Sequence, residues 1–309
     1  MLGGINVEDR PRRVTGQVHR RLVGLTAVVA LASAGCGATT TAEGVLFAEE
    51  KATTTTAAPT IPEAALSAAA GVAVCLDWSG SVPEPARAGL RSTLAAAVRS
   101  LSDGVDPDAR HATAGARPLA LNVRVVDDNA YGDDVAPNVI VEAHVPGVHE
   151  VRVGDPLAAG PSDLPADQLL ALTDAFTAAQ ARRTAEAAAR VEAVDAAVAA
   201  LAGFDRPAAR RTDNLGCLSA QAAWLSGRDV AVRRLAVLGD LVNSGGQNLD
   251  AGLDGIEVVA VQVCRDASSC IEARDRFENL VASIGGTFAG AVRLDDPTRA
   301  AETIVEGLR

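Results

Sequence analysis

The feature that most constrains this chain is a series of short apolar runs that alternate with helical stretches. The run at 71–76 is apolar throughout, as expected for a strand buried on both faces. Similar runs follow at 119–126, 139–145, 235–238, 256–263 and 287–292. Helical patterns cover 85–101, 166–202, 271–284 and 297–308. Six strands joined by crossover helices predict an α/β fold, a doubly wound, mostly parallel sheet with helices on both faces.

The composition supports a packed domain and excludes several other classes of protein. Hydrophobic residues make up 48% of the 309 residues, which is too many for a disordered chain. Aromatic residues are only 3% of the chain and the net charge is −11. Because nucleic-acid binding depends on basic and aromatic surfaces, we expect no nucleic-acid partner.

The N-terminal region has the layout of an export signal followed by a tether. In residues 1–35 a basic stretch precedes a short apolar run that ends in Ser33-Ala34-Gly35-Cys36. This ending resembles a bacterial lipoprotein signal, which implies a lipid anchor on Cys36 at the extracytoplasmic face of the cell membrane. An ordinary secretory signal with an incidental cysteine is the alternative. Residues 36–65, rich in Thr and Ala, predict a flexible tether, and residues 66–309 predict the folded domain.

Cysteine usage agrees with export. Apart from Cys36 there are four cysteines, an even number that favours two disulfides in an extracytoplasmic protein. Cys264 and Cys270 are close in the chain and predict a local loop closure, which leaves Cys75 to pair with Cys217. Four free, buried thiols are the alternative.

Polar side chains follow the first predicted strand at the point where it ends. Asp77, Ser79 and Ser81 alternate with other residues in the sequence Asp-Trp-Ser-Gly-Ser. Ligands of open α/β sheets bind at the carboxyl ends of the strands, so this cluster is placed for function. Carboxylate and hydroxyl oxygens are the ligand type that Mg²⁺, Mn²⁺ and Ca²⁺ prefer.

In these residues and their position the chain resembles a von Willebrand factor A domain, whose metal-ion-dependent adhesion site begins with D-x-S-x-S. The resemblance covers roughly residues 68–309 and implies two more ligands in later loops. Thr212, in the sequence Thr-Asp-Asn-Leu-Gly-Cys-Leu, matches the second loop, and Asp240, after the strand at 235–238, matches the third. A shifted alignment would place Asp213 in the position of Thr212. The family more often has T-D-G where this chain has Gly239-Asp240-Leu241.

The resemblance implies a binding function rather than catalysis. We expect a divalent cation, Mg²⁺ with Mn²⁺ or Ca²⁺ as alternatives, that takes an acidic side chain of a protein ligand. An envelope scaffold that uses the site little or not at all is the first alternative, and a metal-assisted hydrolase is the second. The sequence has no G-x-S-x-G elbow, no Walker loop, and no C-x-x-C or H-E-x-x-H zinc pattern.

Three further features leave alternatives open. Trp78 lies between the predicted ligands, where it either contacts a ligand or packs over the loop. The stretch 166–202 would span about 55 Å as one helix, so it should bend, break or protrude, with two docked ends and a wetter middle. Four aspartates suggest a calcium loop but lack its ligand spacing, which favours a solvated acidic turn: Asp127, Asp128, Asp133 and Asp134.

Overall fold

The computed structural model describes residues 69–108, 115–128, 138–151, 164–244 and 252–308. The predicted signal at 1–35, the tether at 36–65 and the lipidation site Cys36 lie outside these residues. Within the described ranges, no helix combines the length and the apolar character that a membrane crossing requires.

The described residues form one six-stranded sheet. Its strands are β1 (Ala70–Asp77), β2 (Leu119–Val126), β3 (Val139–Val145), β4 (Val232–Gly239), β5 (Glu257–Gln262) and β6 (Thr287–Arg293). Their spatial order is β3-β2-β1-β4-β5-β6, and every neighbouring pair is parallel except β2 with β3, which is antiparallel. The prediction of a doubly wound, mostly parallel α/β sheet is therefore confirmed.

Helices connect these strands and cover both faces. They are α1 (Glu84–Arg99), α2 (Ala166–Gly203), α3 (Asn214–Ser226), α4 (Ala267–Ser283) and α5 (Pro297–Val305). One apolar core lies against α1, α2 and α5, and a second lies against α3 and α4 on the opposite face. β1 is buried at all eight positions because it sits in the centre of the sheet between both cores.

The strand order places the end of β1 beside the end of β4. The register pairs Leu76 with Leu238, so Asp77 and Gly239 leave the sheet next to each other. Strand order reverses at β1, since β2 lies on one side of it and β4 on the other. This is the switch point at which doubly wound folds bind their ligands.

Helix α2 corrects one expectation about the long helical stretch. It is a single helix of 38 residues, about 57 Å long, rather than two docked ends with a wetter middle. Arg183 and Arg190, in the expected wet middle, are each only 1% exposed. The first turns carry exposed side chains instead, among them Leu170 and Leu172. Two of the arginines in the middle of the helix therefore pack inward, whereas Arg182 stays exposed.

Backbone carbonyls explain why an arginine can be buried in α2. The Arg190 guanidinium donates to the carbonyl oxygens of Leu101, Arg117 and Pro146 at 2.7, 3.0 and 2.7 Å. These three carbonyls belong to loops at the other end of the sheet, and a buried cation is tolerated where its donors are satisfied. Arg190 thus ties α2 to those loops.

Both predicted disulfides are present. Cys75 in β1 pairs with Cys217 in α3, with 6.0 Å between their Cα atoms. Cys264 pairs with Cys270 and closes the loop between β5 and α4, with 5.4 Å between their Cα atoms. The first disulfide joins the central strand to the helix that follows Thr212, and the second constrains a loop at the carboxyl edge of the sheet.

Candidate metal centre

Asp77 lies at the centre of the carboxyl edge, and its side chain is fully buried. Gly239 allows this placement, because a Cβ at position 239 would lie 2.5 Å from the Asp77 Cβ and 2.7 Å from its Oδ2. Only glycine leaves room for the carboxylate against β4. The close approach of Asp77 to β4 therefore requires the glycine at position 239, where von Willebrand factor A domains more often have threonine.

The Asp77 carboxylate is only half satisfied. Its Oδ1 accepts the backbone N–H of Ser79 at 2.9 Å, whereas its buried Oδ2 has no hydrogen-bond partner among the described residues. Burial raises the pKa of Asp77 to about 6, and the neighbouring charge of Asp240 adds to the rise, although hydrogen bonds from Ser79 oppose it. Within the described part of the chain, no positively charged group forms an ion pair with this carboxylate.

The two predicted serine ligands lie side by side. The Oγ atoms of Ser79 and Ser81 are 2.8 Å apart and form a hydrogen bond with each other. Ser79 is buried and Ser81 is exposed. The Arg87 guanidinium fixes the turn from outside by donating to the carbonyl oxygens of Ser79 and Val82 at 3.1 and 2.6 Å. The D-x-S-x-S turn therefore holds one carboxylate and two hydroxyls close together.

The second loop distinguishes Thr212 from Asp213. Asp213 is the N-cap of α3, and its Oδ1 accepts the N–H of Gly216 at 2.9 Å. Its own N–H donates to the carbonyl oxygen of Asp127, which follows β2. Thr212 is 2% exposed, and its backbone exchanges hydrogen bonds with Ser244. Capping uses one carboxylate oxygen of Asp213, and Thr212 stays the predicted ligand of this loop.

Asp240 is half-buried directly after β4. Its Oδ1 accepts the N–H of Val242 at 2.9 Å, which leaves the other oxygen for further contacts. Between them, Leu241 has a φ of 62°, the only positive φ among described residues other than glycine. The Leu241 side chain is buried in the core, and this burial holds the backbone in a conformation that glycine would adopt more readily.

The Trp78 side chain packs against neighbouring residues and does not extend into solvent. It is 7% exposed, and its Nε1 donates to the carbonyl oxygen of Arg206 at 2.7 Å. Its ring meets Phe204 edge to face, with 5.0 Å between the centroids. The guanidinium groups of Arg87 and Arg91 lie over the ring. Of the two interpretations left open by the sequence, packing over the loop is the correct one.

The two described aspartates of the acidic cluster contact the segment that precedes the second loop. Asp127 forms an ion pair with Arg206 at 2.8 Å, and Asp128 accepts the backbone N–H of Arg211. Asp133 and Asp134 lie outside the described residues. Asp127 and Asp128 thus connect the end of β2 to the segment that leads into the second loop.

Sequence reasoning missed the residues that link the second and third loops. Asn214 is 3% exposed, and its Nδ2 donates to the carbonyl oxygen of Val242 at 3.0 Å. The Asn214 Oδ1 has no hydrogen-bond partner among the described residues. Ser244 binds both backbone groups of Thr212. Nothing in the local sequence marks these contacts, because they join segments about 30 residues apart that only the fold brings together.

The donors fit a hard divalent cation. Within the described ranges, no group of three or more His, Cys, Asp and Glu side chains comes together as a metal cluster. The edge instead offers two carboxylates, Asp77 and Asp240, beside the hydroxyls of Ser79 and Ser81. An all-oxygen set of this kind suits Mg²⁺ or Mn²⁺ and does not suit zinc. Among these oxygens, Asp77 Oδ2 is the one that is buried without a hydrogen-bond partner in the described residues.

The fold and this edge together define an α/β domain with oxygen donors grouped at its topological switch point. No protein-family profile matches the chain, and no curated protein matches it in sequence.

Solved structures of similar fold include von Willebrand factor type A from Catenulispora acidiphila, at 12% identity and a TM-score of 0.40. That alignment covers 78% of this chain and 43% of the other, so the chain spans less than half of that protein. A variant of the PilB minor pilin from Streptococcus sanguinis aligns at 10% identity with a TM-score of 0.42, over 80% and 62% of the two chains. The manganese-loaded TRAP protein of Plasmodium vivax aligns at 10% identity with a TM-score of 0.33, over 77% and 74%.

Proposed function

We propose that this chain is a lipid-anchored, extracytoplasmic module resembling von Willebrand factor A domains, which binds an acidic protein ligand through a divalent cation. The observation that carries the proposal is the fully buried Asp77 carboxylate, whose Oδ2 is unpartnered among the described residues. A buried carboxylate without a partner destabilises the folded chain unless a positive charge compensates it. A cation would satisfy that oxygen.

The residues around Asp77 divide the work of holding a cation. Asp77 and Asp240 supply negative charge, whereas Ser79, Ser81 and Thr212 supply neutral oxygens, directly or through water. Bound Mg²⁺ would supply an electrophilic position that an outside carboxylate can fill. Because only two of these donors are charged and the others are neutral, the ion would still attract an outside carboxylate. Asp213 has a separate role, because one of its carboxylate oxygens caps α3.

Binding is favoured over catalysis by the placement of the described histidines. His144 lies in β3 at the edge of the sheet. His149 contacts Glu186 of α2 through its Nδ1 at 2.7 Å. Neither supplies a general base beside Asp77, and so we propose no reaction at this site.

Location outside the cytoplasm is supported by the two disulfides, which persist in oxidising compartments. The anchor is proposed from the sequence ending at Cys36. Expression in a bacterial host with radiolabelled palmitate should label the chain, and Cys36→Ser should abolish the label. Labelling that survives this substitution would place the lipid elsewhere.

Calorimetric titration of Mg²⁺ and Mn²⁺ into the full chain tests the metal site. We expect binding in the unmodified chain and in Asp205→Asn, which changes an exposed aspartate in the loop after α2. Asp77→Asn and Asp240→Asn should both lose binding while they keep the circular dichroism spectrum of the folded chain. Absence of binding in the unmodified chain would overturn the proposal and favour an envelope scaffold with an unused site.

A further inference from the structure

We propose that Arg265 gives the candidate metal centre a second anionic contact, so that its preferred ligand is an acidic peptide segment with two carboxylates. This inference rests on the proposed function, in which the first carboxylate reaches the cation. The second would pair with the Arg265 guanidinium. Arg265 would then determine specificity for the ligand.

The position of Arg265 follows from the strand order. It lies in the loop between β5 and α4, and β5 is the neighbour of β4 at the carboxyl edge. Its Nη2 donates to the carbonyl oxygen of Ser81 at 3.4 Å. At the start of the same loop, the N–H of Val263 donates to the carbonyl oxygen of Gly239 at 2.9 Å. The loop therefore contacts both the first and the third segments of the candidate metal centre.

Three contacts fix the loop that carries Arg265. The disulfide between Cys264 and Cys270 closes it. Gln262, at the end of β5, donates from its Nε2 to the Cys270 carbonyl oxygen at 3.0 Å. Asp266 caps α4 by accepting the N–H of Ser269 at 2.8 Å. A side chain that starts from a constrained loop loses less conformational entropy when it binds a ligand.

Three other arginines at this edge already have hydrogen-bond or ion-pair partners. Arg87 and Arg91 donate to backbone carbonyls, and Arg206 pairs with Asp127. Arg265 is exposed and forms no ion pair with any residue in the described ranges. Its neighbour Asp266 is occupied by the cap of α4. Because its one hydrogen bond is long, most of its donors remain for an outside anion.

An apolar side chain on the same rim favours a peptide over a phosphate polymer. Val242 is 50% exposed, and its N–H is held by the Asp240 carboxylate. A peptide segment can place an apolar side chain on Val242 while its carboxylates reach the cation and Arg265. A polyol phosphate chain has no comparable apolar group.

Competition for Mn²⁺-bound water tests the inference on the full chain. Two probes are used: a monoglutamate peptide, acetyl-Gly-Glu-Gly-Gly-Gly-amide, and a diglutamate peptide, acetyl-Gly-Glu-Gly-Glu-Gly-amide. Each peptide lowers the water-proton relaxation enhancement when its carboxylate displaces water from Mn²⁺. We expect the diglutamate peptide to bind about fivefold more tightly, the effect of one exposed ion pair. Arg265→Gln should remove this preference and leave Mn²⁺ affinity unchanged. Arg276→Gln, at an exposed arginine of α4 away from the loop, should keep it.

The outcomes separate the inference from the function on which it rests. If the unmodified chain binds no Mn²⁺, or if neither peptide displaces water, the proposed function fails and the inference fails with it. If both peptides bind but with equal affinity, or if Arg265→Gln keeps the preference, only the inference fails. If glycerol 2-phosphate competes as well as the diglutamate peptide and depends equally on Arg265, the ligand is a phosphate polymer and the peptide assignment is overturned. In the Mg²⁺-loaded chain, a shift of the Arg265 Nε–H resonance with the diglutamate peptide and not with the monoglutamate peptide would support direct contact.

Discussion

Replacing Asp77 with asparagine should stabilise the metal-free protein while it destroys the metal site. The substitution keeps the shape of the side chain and the oxygen that accepts the Ser79 N–H. It removes a buried negative charge beside Asp240. A substitution at a functional residue is expected to stabilise the fold where the residue was selected for binding at a cost in stability.

The magnitude follows from the pKa of Asp77. Burial, together with the charge of Asp240, raises this pKa from 3.8 to about 6, which corresponds to about 3 kcal/mol of destabilisation when the group is ionised. Asparagine removes that cost but buries an amide N–H₂, which costs about 1–3 kcal/mol if it finds no acceptor. Since the Asp240 carboxylate is a nearby acceptor, we expect a net gain of about 1–2 kcal/mol at pH 7.5.

The sign of the pH dependence is fixed. Because the folded-state pKa is raised, the folded chain binds a proton more tightly than the unfolded chain does. The destabilisation is therefore complete above about pH 6 and disappears as the pH falls toward the unfolded value near 3.8. The free energy of unfolding of Asp77→Asn minus that of the unmodified chain should fall by about 3 kcal/mol between pH 7.5 and pH 3.5.

Urea unfolding followed by far-ultraviolet circular dichroism measures these differences. The comparison is made in EDTA and again with Mg²⁺ at about 100 times its dissociation constant, which should stabilise the unmodified chain by about 2.7 kcal/mol. Asp77→Asn should then be the more stable chain in EDTA and the less stable one in Mg²⁺. Asp205→Asn, at an exposed site, should follow the unmodified chain in both buffers within about 0.5 kcal/mol.

A variant that is less stable than the unmodified chain in EDTA at pH 7.5 would refute this reasoning. Such a result would mean that the Asp77 carboxylate is already compensated in the metal-free fold. Equal responses of both chains to Mg²⁺ would instead place the stabilising cation away from Asp77.

Three other substitutions have defined outcomes. Gly239→Ala should abolish Mg²⁺ binding in calorimetry because its Cβ would displace the Asp77 carboxylate. Gly203→Ala should keep binding, since an added Cβ there would meet no neighbouring group within 4 Å; retained binding in Gly239→Ala would contradict the close approach. Arg190→Met should lower the free energy of unfolding by about 3 kcal/mol or more, because it leaves buried carbonyls without donors. A loss below about 1 kcal/mol in urea unfolding would show that water replaces the lost donors. Leu241→Gly relieves about 1 kcal/mol of backbone strain but loses about 2–3 kcal/mol of burial, so thermal unfolding should shift downward, and an upward shift would show that strain dominates.

Local sequence predicted the regular elements well, because each depends on patterns within a few residues. The apolar run at 71–76 gave β1, and the stretch 166–202 without Gly or Pro gave α2 within one residue of its observed end. The D-x-S-x-S turn was placed at the end of the first strand for the same reason. The two disulfide pairings were also predicted correctly, with Cys264 and Cys270 close in the chain.

The environments of side chains were harder to predict. The charge pattern predicted a solvated helical face at Arg183 and Arg190, but both side chains are buried. A charge pattern does not show which backbone carbonyls the fold will bring to an arginine. Trp78 could be exposed or packed until Phe204 and the Arg206 carbonyl, more than 100 residues away, were known to meet it. The capping role of Asp213 depends on where α3 begins, and the sequence alone does not give that residue.

By itself the sequence determined the class of fold and the kind of oxygen donors available, because strand and helix periodicity and residue chemistry are local properties. Tertiary structure decided which of those donors meet. The approach of Asp77 to Gly239, the link between Thr212 and Ser244, and the position of Arg265 beside Ser81 all join segments that are distant in the chain. Burial and unpaired charge, on which the proposed affinity for a cation depends, exist only after those segments have packed together.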